Sequence, residues 1–410
     1  MWPVSTNWAG NFTFSAARTV QPTSVEEVRD VVKAAESAHV VGAGHSFSTI
    51  ADTAGTLINL DRMPEVFEVR TGSVRVGAGM RLARLAELLH DAGLALPAMP
   101  SLPHITITGA CATATHGSGN DVPSLASLVR SLDLVTADGG ITTLSRADAG
   151  FDGAVVAFGS LGVVVAVELD VVPTFEVEQR IYDNMPFDAL VANVDTIFAS
   201  AYSVSAFTTW QGVAHVFAKR RTTDPENDLT WTGAMPATEP RHPVPGQPAL
   251  HCTTQLGVPG PWHERLPHFR ADFTPSVGAE LQSEYFVARE HAAEALTALN
   301  DLAAEITPVL LTSEVRTVAA DTQWLSPVHG RPSVAFHFTW QPDDTAVRTV
   351  LRKIEDALSP WRPRPHWGKL FEIADPGERY ENWARFAELR AGLDPTGKFR
   401  NPLIDGWFTG

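Results

Sequence analysis

Eight residues near the N-terminus, Val41-Gly42-Ala43-Gly44-His45-Ser46-Phe47-Ser48, limit what this chain can become more than any other segment. They follow a helix-like run from Ser24 to Ala38 and a short apolar run from His39 to Val41. A strand is therefore expected to deliver a glycine-rich loop that carries one histidine. Glycine permits positive φ and close approach of the backbone to a ligand. Successive loop N–H groups can cradle an anion such as a pyrophosphate, with His45 held against whatever the loop binds.

The flanking pattern has βαβ character. Ser24 and Glu27 read as a capping box, and Val25, Val28, Val32 and Ala35 recur at helical spacing. A second helix is expected over 81–91, with Leu82, Leu85 and Leu89 on one face and Gly93 closing it. Strands are expected at 55–60, 73–77, 132–136 and 141–144, the last two joined by Asp138-Gly139-Gly140. The β-branched run 162–172 reads as a buried strand. The texture changes at Val172-Pro173, the segment 223–255 is rich in Pro, Thr and Gly and reads as irregular, and short helices are expected after Pro376.

Three strand-like runs in the second region share one pattern. Gln282 and Glu284, Glu314 and Arg316, and His337 and Thr339 each lie two apart. Strand side chains alternate faces, so each pair points one way, while Leu281, Val315, Phe336, Phe338 and Trp340 point the other. If these strands are neighbours, one sheet face gathers amide, carboxylate, guanidinium, imidazole and hydroxyl groups. Water could simply wet such a face. A pocket is the better account of three such runs, and mixed donors and acceptors suit a ligand with several hydroxyls, each of which both donates and accepts.

A second small-residue segment, Pro103 to Gly119, is rich in Thr, Ala and Gly and could admit a cofactor's phosphates. It is neither GxGxxG opening a helix nor a Walker loop, so a nicotinamide Rossmann domain is not expected. With 31 basic against 47 acidic residues, the net charge of −16 argues against nucleic acid or anionic membrane as partners. Two distant cysteines, Cys111 and Cys252, give no disulfide framework or metal pair. No apolar run is long enough to span a bilayer. Met1 to Ser5 lacks the basic-then-apolar order of a signal peptide, and a cytoplasmic setting is expected.

Taken in order, Gly42-Ala43-Gly44-His45-Ser46, Ser101-Leu102-Pro103-His104-Ile105, Ala114-Thr115-His116-Gly117-Ser118-Gly119 and His366-Trp367-Gly368-Lys369 resemble the aldonolactone/alditol oxidase branch of the vanillyl-alcohol-oxidase-type flavoproteins. The likeness runs from Asn7 to Phe399. It implies a two-domain α+β chain of the VAO/PCMH-type FAD-binding fold, with a substrate (cap) domain built on an antiparallel sheet flanked by helices. The expected division is an FAD-binding domain over 1–171, a cap over 172–374, and a C-terminal segment, 375–410, returning to the FAD domain.

The same resemblance implies FAD attached through its 8α-methyl to His45. Val40, Val41, Gly42, Ala43, Gly44 and Ser46 would wrap its pyrophosphate. Ser101, Thr106, Gly109, Ala110, Cys111, Ala112 and His116 match a second cofactor-contacting stretch, Gly162 and Val163 the adenine end, and His366 another flavin contact. A polyol such as xylitol or sorbitol would be held by Ser101, Gln282, Glu314, Arg316, His337, Thr339 and Lys369, with Arg316, Lys369 and Glu314 in catalytic roles and the role of Glu284 open. Oxidation of the terminal hydroxyl to the aldose, with O2 reduced to hydrogen peroxide by a monomeric enzyme, is what the likeness implies. Pro100 precedes Ser101 where this family has Ala or Gly, and since proline fixes φ and removes an N–H, another electron acceptor stays open. An aldonolactone oxidase or dehydrogenase of the same family is the alternative reading. A serine hydrolase built on Ser46 is a distant one, since Gly44-His45-Ser46-Phe47-Ser48 lacks the final glycine of a nucleophile elbow.

Overall fold

The computed structural model describes residues 6–273 and 280–408. The Met1–Ser5 stretch lies outside them. In the first region β1 (Arg18–Val20), β2 (Ala38–Val41) and β3 (Thr56–Asn59) form a parallel sheet of order β1-β3-β2, linked through α1 (Val25–Ala34). Ser24 caps α1 by accepting from the Glu27 N–H at 3.1 Å. Glu27 Oε2 reaches back one residue further than a capping box requires, to the Thr23 N–H at 2.7 Å.

A second, antiparallel sheet has the order β4 (Phe67–Arg70), β5 (Ser73–Gly77), β8 (Val163–Asp170), β6 (Val129–Val135), β7 (Ile141–Ser145). Helix α2 (Leu82–Asp91) buries Leu82, Leu85, Ala86 and Leu89, as its spacing predicts. Short α3 (Ile107–Ala112) follows it, buried through Ile107, Ala110 and Cys111.

The rest of the chain builds one large antiparallel sheet. Its long strands run β9 (Glu176–Met185), β11 (Val213–Arg221), β10 (Ser203–Thr208), β13 (Leu310–Val318), β14 (Ser333–Trp340), β12 (Leu281–Ala288). The three polar-paired runs are thus adjacent. One face carries Leu281, Tyr285, Val315, Phe336, Phe338 and Trp340 into a core with α4 (Ala292–Asp301) and α5 (Asp344–Leu358), whose inward residues include Leu296, Leu299, Leu351 and Ile354. That apolar layer turns the polar face the other way. The segment 223–255 is largely irregular, with one 3₁₀ turn and the two-residue strand Met235–Pro236.

Helix α6 (Trp383–Leu393) and helix α7 (Pro402–Phe408) place Phe386, Ile404 and Trp407 in one cluster with Phe151, Ala154 and Phe158 of the first region. Lys398 Nζ donates to Val32 O at 2.6 Å, and Asn401 Nδ2 to Thr49 O at 2.9 Å, fastening this end of the chain beside the glycine-rich loop.

Candidate active site

Register decides which side chains meet on the polar face. Glu314 lies opposite His337, and His337 opposite Glu284, in a row across β13, β14 and β12. Thr312, Thr339 and Gln282 form the next row. This face walls a cavity of about 530 Å³ whose other walls are the Gly42–Phe47 loop, the Ser101–His116 segment and the His366–Lys369 turn.

Glu284 is the hub of the cavity floor. Its carboxylate is fully buried, receives the Arg316 Nη2 donor on Oε1, and accepts from Lys369 Nζ on Oε2 at 2.7 Å. Burial pushes its pKa up, but Arg316 and Lys369 overcome this and hold it well below the usual carboxylate range. Burial lowers the pKa of Lys369, with Glu284 opposing. His116 Nδ1 donates to Gly117 O at 2.7 Å, leaving Nε2 3.3 Å from Glu284 Oε1 without hydrogen-bond geometry.

Glu314 sits deeper than a surface ion-pair partner. Its Oε1 accepts from His268 Nε2 at 2.9 Å, while Oε2 lies 3.7 Å from Arg316 Nε and 3.9 Å from His337 Nδ1. Burial raises its pKa, and Arg316 and His268 bring it back below the ordinary value. Gln282 Nε2 donates to Glu280 Oε1 at 2.7 Å, so its Oε1 must accept from His337 Nε2 at 3.2 Å. That fixes the neutral His337 tautomer, and burial holds the ring neutral. Thr312 Oγ1 donates to Pro243 O at 3.1 Å, tying the wall to the loop above it.

The glycine-rich loop faces this floor across the cavity. Gly44 has φ +66, and a Cβ on Gly42 would stand 2.3 Å from Thr106 Oγ1, so the loop and the second segment touch. Among the described residues the N–H groups of Ala43, Gly44, His45 and Ser46 meet no protein acceptor. Four consecutive uncommitted donors in a small-residue loop fit an anionic pyrophosphate. A second cavity of about 130 Å³ shares Val41, Gly42, Ser46, Thr106 and Gly109 with the first and runs on to Gly162 and Val164. One cleft thus passes under both glycine-rich segments. The His45 ring lies 4.2 Å from the Trp8 ring and, among the described residues, takes part in no hydrogen bond. Burial and then Lys369 lower its pKa to about 3, so the imidazole is neutral and both ring nitrogens are uncommitted. The residues present fit FAD, which the glycine-rich loop and the Ser101–His116 segment would hold.

The expected positions converge with one exception. Val41, Gly42, Ala43, Gly44, His45, Ser46, Ser101, Thr106, Gly109, Ala110, His116 and His366 line the main cavity, as do Gln282, Glu314, Arg316, His337, Thr339 and Lys369. Val40, Cys111, Ala112 and Gly162 line the narrower extension. Val163 lines neither, because alternation along β8 turns its side chain into the cluster with Val28 and Val135. Burial pushes the Cys111 thiol up to about 12, which leaves it a small core residue. Ser46 Oγ has no histidine or carboxylate partner among the described residues, which removes the hydrolase reading.

Glu284, Glu280 and His268 were not assigned from sequence. Glu284 was visible as half of a polar pair, but nothing in the pattern revealed that it carries both cations. His268 comes from an irregular segment and left no periodic signal.

Comparison with known proteins supports the same assignment. Residues 16–145 match the model of an FAD binding domain, and residues 279–407 that of D-arabinono-1,4-lactone oxidase. The chain is 50% identical to alditol oxidase from a Streptomyces species, over 98% of this chain and 99% of that one. It is 31% identical to L-gulono-1,4-lactone dehydrogenase of Mycobacterium tuberculosis, covering 98% of each. Among solved structures, a solvent-stable cholesterol oxidase superposes with a TM-score of 0.78 at 16% identity, covering 98% of this chain and 96% of that one. The cholesterol oxidase of B. sterolicum gives 0.79 at 13%, with the same coverage. At such identities these two show the fold, the VAO/PCMH-type arrangement with its antiparallel cap sheet.

Proposed function

Because this chain belongs to the FAD-dependent alditol and aldonolactone oxidases of the vanillyl-alcohol-oxidase type, we propose that it oxidises the terminal hydroxyl of an alditol such as xylitol or sorbitol. The product is the aldose, and O2 is reduced to hydrogen peroxide. FAD, held by the Val40–Ser46 loop and tethered through His45, supplies the hydride acceptor that no side chain provides.

The protein's own task is to hold C1 and its hydroxyl and to stabilise charge on O1. Arg316 stays charged and can fork between O1 and O2. Lys369 is a compact donor beside it, and its lowered pKa brings the neutral amine closer to working pH, so that Nζ can receive the O1 proton. Glu284 holds both cations in place and balances one of their charges. Glu314, Gln282, Thr339, His337 and Ser101 read the remaining hydroxyls. A binding site built from partnered polar groups rejects a substrate that leaves them unpaired.

The observation that carries this reading is that Arg316 and Lys369 share Glu284 on the wall of the same cavity as His45. The number of polar groups on the wall, Ser101, Gln282, Glu314, His337 and Thr339 among them, favours an open-chain polyol over a lactone ring with fewer hydroxyls. In this scheme residues 1–171 and 375–410 hold the cofactor and 172–374 the substrate. The setting is a cytoplasmic monomer, a state that a net charge of −16 favours by self-repulsion. Among the described residues no helix is long and apolar enough to cross a membrane.

Two measurements test it. Peroxide release is expected with xylitol or sorbitol and not with L-gulono-1,4-lactone, and the reverse preference would replace alditol by lactone. Acid precipitation is expected to leave yellow colour on the polypeptide and to release it from His45→Ala. Colour passing wholly to the supernatant from the unaltered protein would remove the His45 bond.

A further inference from the structure

Behind the polar wall lies a buried lysine that the proposed chemistry does not use. Lys219, on β11, is 1% exposed and lies outside the wall of the main cavity. It borders, with His268, Glu314 and Arg316, a void of about 10 Å³, room for no more than one water. Its Nζ contacts three acceptors: Leu266 O at 2.5 Å, Pro267 O at 3.3 Å and His268 Nδ1 at 3.1 Å.

An ammonium has three N–H donors and no lone pair. His268 Nδ1 must therefore accept. The neutral ring then carries its proton on Nε2, and that N–H donates to Glu314 Oε1 at 2.9 Å. Every group in the chain is satisfied in one direction only. Without the ammonium, Nδ1 is free to take the ring proton, and Nε2 would turn a lone pair toward the carboxylate.

We infer that Lys219 and His268 are positioning residues: Lys219 fixes the tautomer of His268, and His268 anchors one oxygen of Glu314 so that the other is presented to a substrate hydroxyl. Glu314 Oε2 is the presented atom. No hydrogen bond from the described residues reaches it; Arg316 Nε lies 3.7 Å away and Nδ1 of the neutral His337 ring 3.9 Å. The titratable groups facing Lys219 are Glu314 and Arg316 on β13, His268 and, on the irregular 223–255 segment, Cys252. Gln179 and Ser203, opposite it in register on β9 and β10, do not titrate. Burial lowers Lys219 to about 7 against the pull of Glu314, and burial with Lys219 lowers His268 to about 4.

The inference rests on the polyol reading of Glu314, and its test separates the two. Nitrogen-15 histidine NMR of the full-length, flavin-loaded protein at pH 6, with His268 identified through H268Q, is expected to show that ring protonated on Nε2 and bare on Nδ1. In Lys219→Met the pattern should reverse or become mixed. In kinetics with xylitol, K219M and H268F should raise KM about tenfold with kcat within about threefold, the loss of one hydrogen bond to a charged group. H268Q, whose amide can donate to Glu314 and accept from Lys219, should stay within about threefold of the unaltered enzyme. An Nδ1-protonated His268 in the unaltered protein, or a K219M protein with unchanged tautomer and KM, overturns the inference. If the unaltered enzyme does not turn over polyols, the functional reading falls and the NMR comparison alone decides this one. If K219M does not fold, the native tautomer and the H268Q–H268F comparison decide it.

Discussion

Replacing Glu284 by Gln isolates the group on which both cations depend. The variant keeps the side-chain shape and removes one negative charge between Arg316 and Lys369. Two unit charges 2.7 Å apart, the Lys369–Glu284 separation, interact by about 1.5 kcal/mol screened as in water and by about 6 kcal/mol at an effective interior dielectric near 20. Removing one member of such a buried pair costs about 3–5 kcal/mol. The amide can accept from only one cation, and its NH2 then faces the other. Lys369 can relieve the strain by losing its proton, whereas Arg316 cannot. The neutral amine of Lys369 thus persists to lower pH in E284Q. If that amine receives the O1 proton, the acid limb of the rate of flavin reduction moves down by at least about one pH unit, the lower Coulomb figure at 1.36 kcal/mol per unit. The assay is anaerobic stopped-flow bleaching of the flavin by xylitol across pH. K369M should abolish the limb, and E284Q/K369M should add no further shift. An acid limb that stays in place or moves up in E284Q would refute the role given to Lys369.

Two further outcomes follow from the same geometry. Arg316→Lys keeps the charge but not the fork that reaches Glu284 and O1 together, so the limiting rate of flavin reduction should fall about 10²–10³-fold with a smaller change in substrate affinity; a loss under about threefold contradicts the assignment. Asp321, which accepts from Ser124 Oγ at 2.9 Å and Ser326 Oγ at 2.6 Å, is raised by burial to about 6. Its contribution to stability is therefore complete below the unfolded pKa near 3.8 and is lost as pH rises through about 6. Asn at 321 stays neutral, so the melting temperature of D321N relative to the unaltered protein should climb between pH 4 and pH 7.5, by the equivalent of about 3 kcal/mol. A pH-independent difference would remove the buried-carboxyl account.

Some of this molecule could be read from local pattern because the physics there is local. Leu82, Leu85 and Leu89 fall on one side of a helix because 3.6 residues make a turn, and Gly93, with φ +74, ends that helix where few other residues could. The glycine-rich loop was legible for a similar reason: Gly42 cannot carry a Cβ against Thr106. What stayed hidden is what folding brings from elsewhere. Lys369 arrives from a turn and His116 from the small-residue segment, and only their meeting with Arg316 makes Glu284 a hub, while His268 reaches Glu314 from a stretch with no period. Likewise the family resemblance paired Val163 with Gly162 at the adenine end, but Gly162 lines the narrower cavity while alternation sends the Val163 side chain to the opposite layer.

Strand pairing joins the two levels. Glu314, His337 and Glu284 stand in one row only because β13, β14 and β12 pair in this register. A slip of one residue in β13 would bury Glu314 and Arg316 among Phe336, Phe338 and the helices while Val315 faced the cavity. Two unpaired charges in that layer cost far more than a valine regains, so the apolar alternate residues, Val315 with Leu281, Phe336 and Trp340, select the register. The substrate wall is therefore specified from its far side. Enlarging or shrinking Val315 perturbs the placement of Glu314 and Arg316 although it touches neither cofactor nor substrate.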